Sequence, residues 1–222
     1  MIMKKALAIF DLDGTLLNTI SDLGTACNHA LRQLGLPRHP LEAYNKMVGN
    51  GLRKLVERSA PEASKETINR LIALTKEYYN GHCTDTTRPY PGMPELLDEL
   101  VSRGVMVAVA SNKYQEGTDR IIRHFFPLVP FIAIEGQNEE RPIKPDPAIL
   151  LDIIKTAEKT AGEPLGGSEV IMVGDSTVDI DTARRAGIES IAVAWGFSPL
   201  VEIETARPDH VVTEASQILH YF

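Results

Sequence analysis

Only two cysteines, Cys27 and Cys83, occur in the 222 residues of this chain. That scarcity excludes a disulfide framework, and neither residue has the neighbour that a thiolate metal pair requires. Both read as buried or incidental thiols of a protein in a reducing cytoplasm. Long apolar runs are also missing, and none approaches the roughly 20 residues of a membrane span. The start, Met1-Ile2-Met3-Lys4-Lys5, leads into an apolar run of strand length that ends in an acidic turn, so it is read as part of the fold and not as a signal peptide. An excess of basic charge is lacking. With 23 Lys and Arg against 30 Asp and Glu, a net charge of −7 and a pI near 5.4, neither nucleic acid nor an anionic membrane is expected as partner. The six histidines, His29, His39, His82, His124, His210 and His220, fall at no metal-ligand spacing, and there is a single tryptophan, Trp195. No internal repeat or low-complexity tract is visible. What remains, 43% hydrophobic and 24% charged, is ordinary for a soluble globular chain holding one domain or one domain with an insertion, as a monomer or homodimer.

The most distinctive segment is a short apolar run over 6–10 that ends directly in Asp11-Leu12-Asp13-Gly14-Thr15. Along an extended backbone, residues two apart face the same side, so the strand delivers Asp11 and Asp13 together. Gly14 then permits a sharp turn. Two neighbouring acids are costly unless a cation or a proton separates their charges. The pair therefore suits a reaction with one carboxylate as nucleophile, the other as proton carrier and a metal ion between them. A solvated turn after a strand is the plainer alternative.

Further strand-like runs fall at 106–110, 131–134, 170–173 and 190–194, most of them continuously apolar, as parallel strands covered on both faces are. Helical stripes lie between them: Met93, Leu96, Leu97, Leu100 and Val101 before Gly104, then Ile149, Leu150, Ile153 and Ile154, then a helix closed by Gly187. This alternation predicts an α/β domain with a parallel sheet. From about Thr19 to Cys83 only helical stripes occur, carried by Leu23, Cys27, Ala30, Leu31 and Leu34, by Leu52, Leu55 and Val56, and by Ile68, Leu71, Ile72, Thr75 and Tyr79. An all-helical insert placed directly after the acidic motif is positioned to act as a lid.

Ligands of open parallel sheets sit beyond the carboxyl ends of the strands. After the first strand come Asp11 and Asp13, after the second Ser111, Asn112 and Lys113, after the third a loop to Lys144, and after the fourth Gly174-Asp175 and Asp179. Carboxylates, a hydroxyl with an amide, and a cation suit a phosphate monoester beside a magnesium ion. Magnesium takes oxygen ligands, here Asp11, Asp175 and the backbone carbonyl of Asp13. Asp179, one helical turn beyond Asp175, can orient a water held by the ion, or can simply favour the first turn of a helix. A carboxylate about 4 Å from a phosphate is opposed by about 4 kcal/mol per charge pair at an effective dielectric near 20. The ion and Lys144 offset that repulsion. In the expected reaction Asp11 attacks phosphorus to form an aspartyl-phosphate while Asp13 protonates the leaving alkoxide; Asp13 then takes a proton from the water that frees phosphate. Ser111, the amide after it and Asn112 would bind the phosphoryl oxygens, although Ser-Asn after a strand and a lysine before proline also occur as ordinary loop chemistry.

Together these four segments resemble the phosphohydrolases of the haloacid dehalogenase superfamily. Asp11-Leu12-Asp13-Gly14-Thr15 matches its first motif, Ser111 its second, Lys144 its third, and Gly174-Asp175 with Asp179 its fourth. The resemblance implies a Rossmann-like parallel-sheet core from residues 1–16 and 86–222, an inserted helical cap from 17–85, magnesium dependence and a cap that closes over a small phosphate ester. Asp13 disfavours dehalogenation, since a halide leaving group needs no acid. Within the superfamily the chain is most similar to phosphoglycolate phosphatases, through Ser-Asn-Lys and through Val48-Gly49-Asn50-Gly51-Leu52-Arg53 in the cap. Gly49 and Gly51 would let backbone amides approach a substrate carboxylate, with Arg53 or Lys54 as its ion-pair partner or as solvated cations. The loop 135–141 departs from the family pattern, which leaves the substrate open. The rival readings are a phosphosugar mutase resembling β-phosphoglucomutase, a phosphatase for another small phosphate or a pyrophosphatase, and a regulatory module that binds phosphate without turnover. Trp195 either lines the site entrance or packs at its rim.

Overall fold

A computed structural model describes residues 5–222. The reading of the first residues as no signal peptide rests mainly on Met1–Lys4, which lie outside the described residues. In chain order the elements are β1 (Leu7–Phe10), β2 (Leu17–Asn18), α1 (Ile20–Gln33), a 3-10 turn (Leu41–Lys46), α2 (Gly51–Ser59), α3 (Lys65–His82), β3 (Arg88–Pro89), α4 (Met93–Ser102), β4 (Met106–Tyr114), α5 (Gln115–Phe125), β5 (Ala133–Gln137), α6 (Ala148–Ala161), β6 (Val170–Gly174), α7 (Thr177–Ala186), β7 (Glu189–Val193), α8 (Leu200–Thr205), β8 (His210–Val212) and a closing 3-10 helix (Ala215–Tyr221).

Six strands form one parallel sheet in the order β5-β4-β1-β6-β7-β8. The period-two alternation of each strand feeds two cores. Ala8 and Phe10 pack with Val107, Val109, Ile171 and Val173 on one face, while Leu7 and Ile9 pack with Ala108, Ala110, Val170 and Met172 on the other. Burial on both faces is why β1, β6 and the first half of β4 hold no polar side chain. Register then sets the site. Phe10 lies level with Val109 and Val173, so Asp11 and the segments after Val109 and Val173 emerge side by side at one edge.

Two strands differ from expectation. β4 does not stop at Ala110 but runs to Tyr114, so Ser111, Asn112 and Lys113 belong to it. Between Ala110 and Tyr114 its pairing with β5 slips: four steps along β4 match two along β5. Such bulges re-aim side chains next to functional sites, and apolar patterning cannot reveal them. β5 lies at Ala133–Gln137, later than the apolar run 131–134, because Phe131 packs into the core from the preceding loop.

Helices α1–α3 carry a core of their own, with Cys27, Ala30, Leu31, Tyr44, Leu55, Val56, Ile68 and Leu71. Cys27 and Cys83 are both buried and free. The chain enters this helical cap through β2 and returns through β3, which pair as a short antiparallel ribbon. Beside the ribbon, the buried carboxylate of Asp22 in α1 accepts hydrogen bonds from the amides and hydroxyls of Thr86 and Thr87. Among the described residues no helix is long and apolar enough to cross a membrane.

Candidate active site

Where the helical cap faces the carboxyl ends of β1, β4 and β6, a cavity of about 80 Å3 opens. Asp11, Asp13, Ser111, Asn112, Lys144, Asp175 and Asp179 all line it, together with Gly49 and Gly51 from the cap. Asp11, Asp175 and Asp179 are buried and offer carboxylate oxygens within 4.8 Å of one another. The Lys144 ammonium, 2% exposed, sits 2.7 Å from Asp11 Oδ1, from Asp179 Oδ1 and from the Ala110 carbonyl.

Three carboxylates against one ammonium leave excess negative charge in a buried site. Burial pushes the Asp11 carboxyl up to about 7 against the pull of Lys144, and Asp179 adds to the rise. Burial likewise pushes Asp175 well above the usual carboxylate range, with Asp11 and Asp179 contributing. For Lys144, burial alone would favour the neutral amine; Asp11 and Asp179 outweigh it and keep the ammonium charged. A hard divalent cation with oxygen ligands relieves this imbalance, and the backbone leaves no side chain in the way. A Cβ added at Gly14 or Gly196 would run into the Asp175 carboxylate, and one at Gly174 into Asp179. The residues present can hold a divalent metal.

Asp175 is fixed by the amide of Phe197, 2.7 Å from its Oδ2, and by a long hydrogen bond of 3.4 Å from the Thr15 hydroxyl. Asp179 combines two tasks. One oxygen receives Lys144; the other reaches back to the amide and hydroxyl of Ser176 at the start of α7, at 3.2 and 2.6 Å. Both oxygens are engaged, so Asp179 holds Lys144 in place and caps the first turn of α7. Asp13 stands beside Asp11 but outside the carboxylate cluster. Its side chain accepts from the Thr19 hydroxyl at 2.6 Å and from Lys113 Nζ at 3.0 and 3.2 Å.

A family model described as haloacid dehalogenase-like hydrolase matches residues 8–193. The chain belongs to that family. It is 34% identical to a phosphoglycolate phosphatase of Mesorhizobium japonicum over 88% of this chain and 86% of that protein. It is 31% identical to one of Haemophilus influenzae over 95% of both. Among solved structures, one described as a predicted phosphoglycolate phosphatase from Haemophilus somnus superposes with a TM-score of 0.88 at 26% identity, covering 99% of each chain. The chain is thus a phosphatase-like hydrolase of the haloacid dehalogenase type, with the α/β core and helical cap expected of it.

Within this haloacid dehalogenase-like site, Asn112 and Arg53 do not sit as expected, and Lys54 and Trp195 take the plainer of the roles left open for them. Asn112 does not present its amide to the cavity. Its Nδ2 donates to the carbonyls of Gly49 and Lys144, both at 3.0 Å, and its Oδ1 accepts from the Lys144 amide at 2.8 Å, so both donors are spent. Arg53 is exposed and bonded to Asn69, and Lys54 is exposed and paired with Glu57, so neither reaches the cavity. Gly51 comes close enough that a Cβ there would crowd Gln137 and the Asn112 carbonyl. Trp195 packs beside Tyr90 and donates to the Thr15 carbonyl without lining the cavity. Ser111 is buried at the cavity wall and accepts from the Lys113 amide, which leaves its own hydroxyl proton available. Sequence reasoning missed Phe197, Gly196 and the role of Lys113. The Gly-Phe step after β7 was the available signal, but a backbone amide donor leaves no mark in residue identity.

Proposed function

We propose that the protein is a magnesium-dependent phosphatase that hydrolyses a small phosphate monoester, 2-phosphoglycolate, through an aspartyl-phosphate on Asp11. The observation that carries this reading is the placement of Lys144 within 2.7 Å of Asp11 inside a buried ring of carboxylates. Magnesium bound by Asp11, Asp175 and the Asp13 carbonyl would neutralise the incoming phosphate and polarise its oxygens. Lys144 aims Asp11 and offsets the charge of the phosphoryl group. The Asp11 carboxylate attacks phosphorus, the bond to the alkoxide breaks, and the Asp13 proton passes to that alkoxide. Water then attacks phosphorus, gives its proton to Asp13 and releases phosphate from Asp11. Ser111 donates to the phosphoryl oxygens.

The cavity supports a small ester. Gly49 and Gly51 bring cap backbone to the cavity opposite Asp11 and Asp13, where it can meet a short carbon body attached to the phosphate. The names of the relatives support phosphoglycolate. Free buried Cys27 and Cys83 fit a reducing cytoplasm, and the acidic charge balance fits a small-molecule substrate, with no nucleic acid or membrane partner. The test is a screen of phosphate esters with magnesium, read as phosphate released. 2-Phosphoglycolate should lead in kcat/KM, with turnover lost in Asp11→Asn. Equal turnover of many sugar phosphates would overturn the substrate, and isomerised sugar phosphate without phosphate release would overturn the hydrolase reading.

A further inference from the structure

Lys113 is a buried cation that the phosphatase reaction outlined above does not use. Its ammonium, 3% exposed, donates to both oxygens of Asp13 at 3.0 and 3.2 Å. Beneath it lies the ring of Tyr79, whose centroid is 4.5 Å away. Tyr79 is buried in α3 of the cap, and its hydroxyl has no hydrogen-bond partner among the described residues, so what it offers Lys113 is the ring face. Lys113 itself sits in the bulged stretch of β4, where the slipped pairing turns its side chain across to Asp13. Its carbonyl is held by the Thr118 hydroxyl at 3.3 Å. Asp13 is therefore gripped from three places: Thr19 at the cap entrance, Lys113 on the core sheet, and through Lys113 the cap helix carrying Tyr79.

We infer that Lys113 is the positioning residue for Asp13, seated by Tyr79 of the cap. This rests on Asp13 being the proton carrier of the proposed phosphatase. When the P–O bond to the leaving alkoxide breaks and the Asp13 proton moves to that oxygen, a carboxylate is left behind. Lys113 and Thr19 both donate toward it, so they stabilise the product of the transfer and keep the carboxyl plane aimed for the next proton, taken from water. Tyr79, near the end of α3, packs in the main core cluster with Leu12, Leu16 and Met93, so the seat of Lys113 is built where the cap joins the core.

The experiment compares two esters of similar size, ethyl phosphate and trifluoroethyl phosphate, by kcat/KM in the presence of magnesium. The fluorinated alcohol is the more acidic and leaves with less help from a proton. Lys113→Met should lose about 100-fold on ethyl phosphate, within the usual reach of general acid catalysis, and less than about tenfold on the fluorinated ester, with KM nearly unchanged for both. Lys113→Arg, which keeps the charge, should recover at least about tenfold of the ethyl phosphate rate. Equal losses on both esters, or a loss confined to KM, overturn the inference. Asp13→Asn is run beside it: if that variant shows no difference between the esters, the assignment of Asp13 as acid is what fails. Should Lys113→Met not fold, Tyr79→Leu must show the same preference for the fluorinated ester at about tenfold scale, and its failure to do so sinks the proposal.

Discussion

Lys144 and Asp11 meet at 2.7 Å, although 133 positions of chain separate them. Both are buried, so neither charge is tolerable without the other. Replacing Lys144 with Met strands the carboxylates of Asp11 and Asp179 and should cost about 3 kcal/mol or more in urea unfolding. In an Asp11→Asn background the same replacement should cost less. A double-mutant cycle measures the difference, and strict additivity would contradict the coupling.

Stability without metal should depend on pH through Asp11. Its carboxyl titrates near 7 in the fold and near 3.9 in the unfolded chain, so between those values the folded state binds more protons. This site therefore favours folding fully at about pH 4, and the contribution is lost as pH rises toward about 7. Magnesium, competing for the ionised form, should raise Tm more at pH 8 than at about pH 5. Thermal melts with chelator and with millimolar magnesium read this out, and a magnesium shift independent of pH would contradict it.

Gly196 lies against the Asp175 carboxylate with no room for a methyl group. Gly196→Ala should displace that carboxylate and weaken magnesium binding by about tenfold or more, the range seen when groups supporting a metal ligand are disturbed. Calorimetric titration measures the affinity, and far-UV dichroism should show the fold retained.

Asp22 is a structural acid. Its carboxylate takes hydrogen bonds from both Thr86 and Thr87. Asp22→Ala leaves the buried amide and hydroxyl of Thr87 without a partner and should cost about 3 kcal/mol, whereas Thr86→Val removes a single hydroxyl at an exposed position and should cost about 1 kcal/mol. Denaturant midpoints of the two variants should differ in that order.

Much of the fold was legible because its signals are local. Residues 6–10 are apolar, short and end in acids, and no long-range information is needed to read a buried strand feeding a site. The same holds for the strands before Ser111 and Asp175 and for the helical stripes of the cap. Other features depend on partners distant in sequence. The extension of the second core strand to Tyr114 follows from its slipped pairing with Ala133–Gln137. Asn112 looked like a phosphate ligand because its spacing is right; its amide is claimed by Gly49, 63 positions away, and by Lys144. Arg53 had the right charge but lies on a helix face turned to solvent. Lys113 stood in plain view, yet only the fold reveals that its partner is Asp13.

Asp22 also bears on how the two halves of the molecule move. It ties the outgoing and returning chain segments together beside the ribbon of Leu17–Asn18 and Arg88–Pro89. The two crossings cannot slide past one another without uncovering a charge, so they turn as one axle. Any movement of the helical lobe against the core is thereby confined to a swing about those crossings.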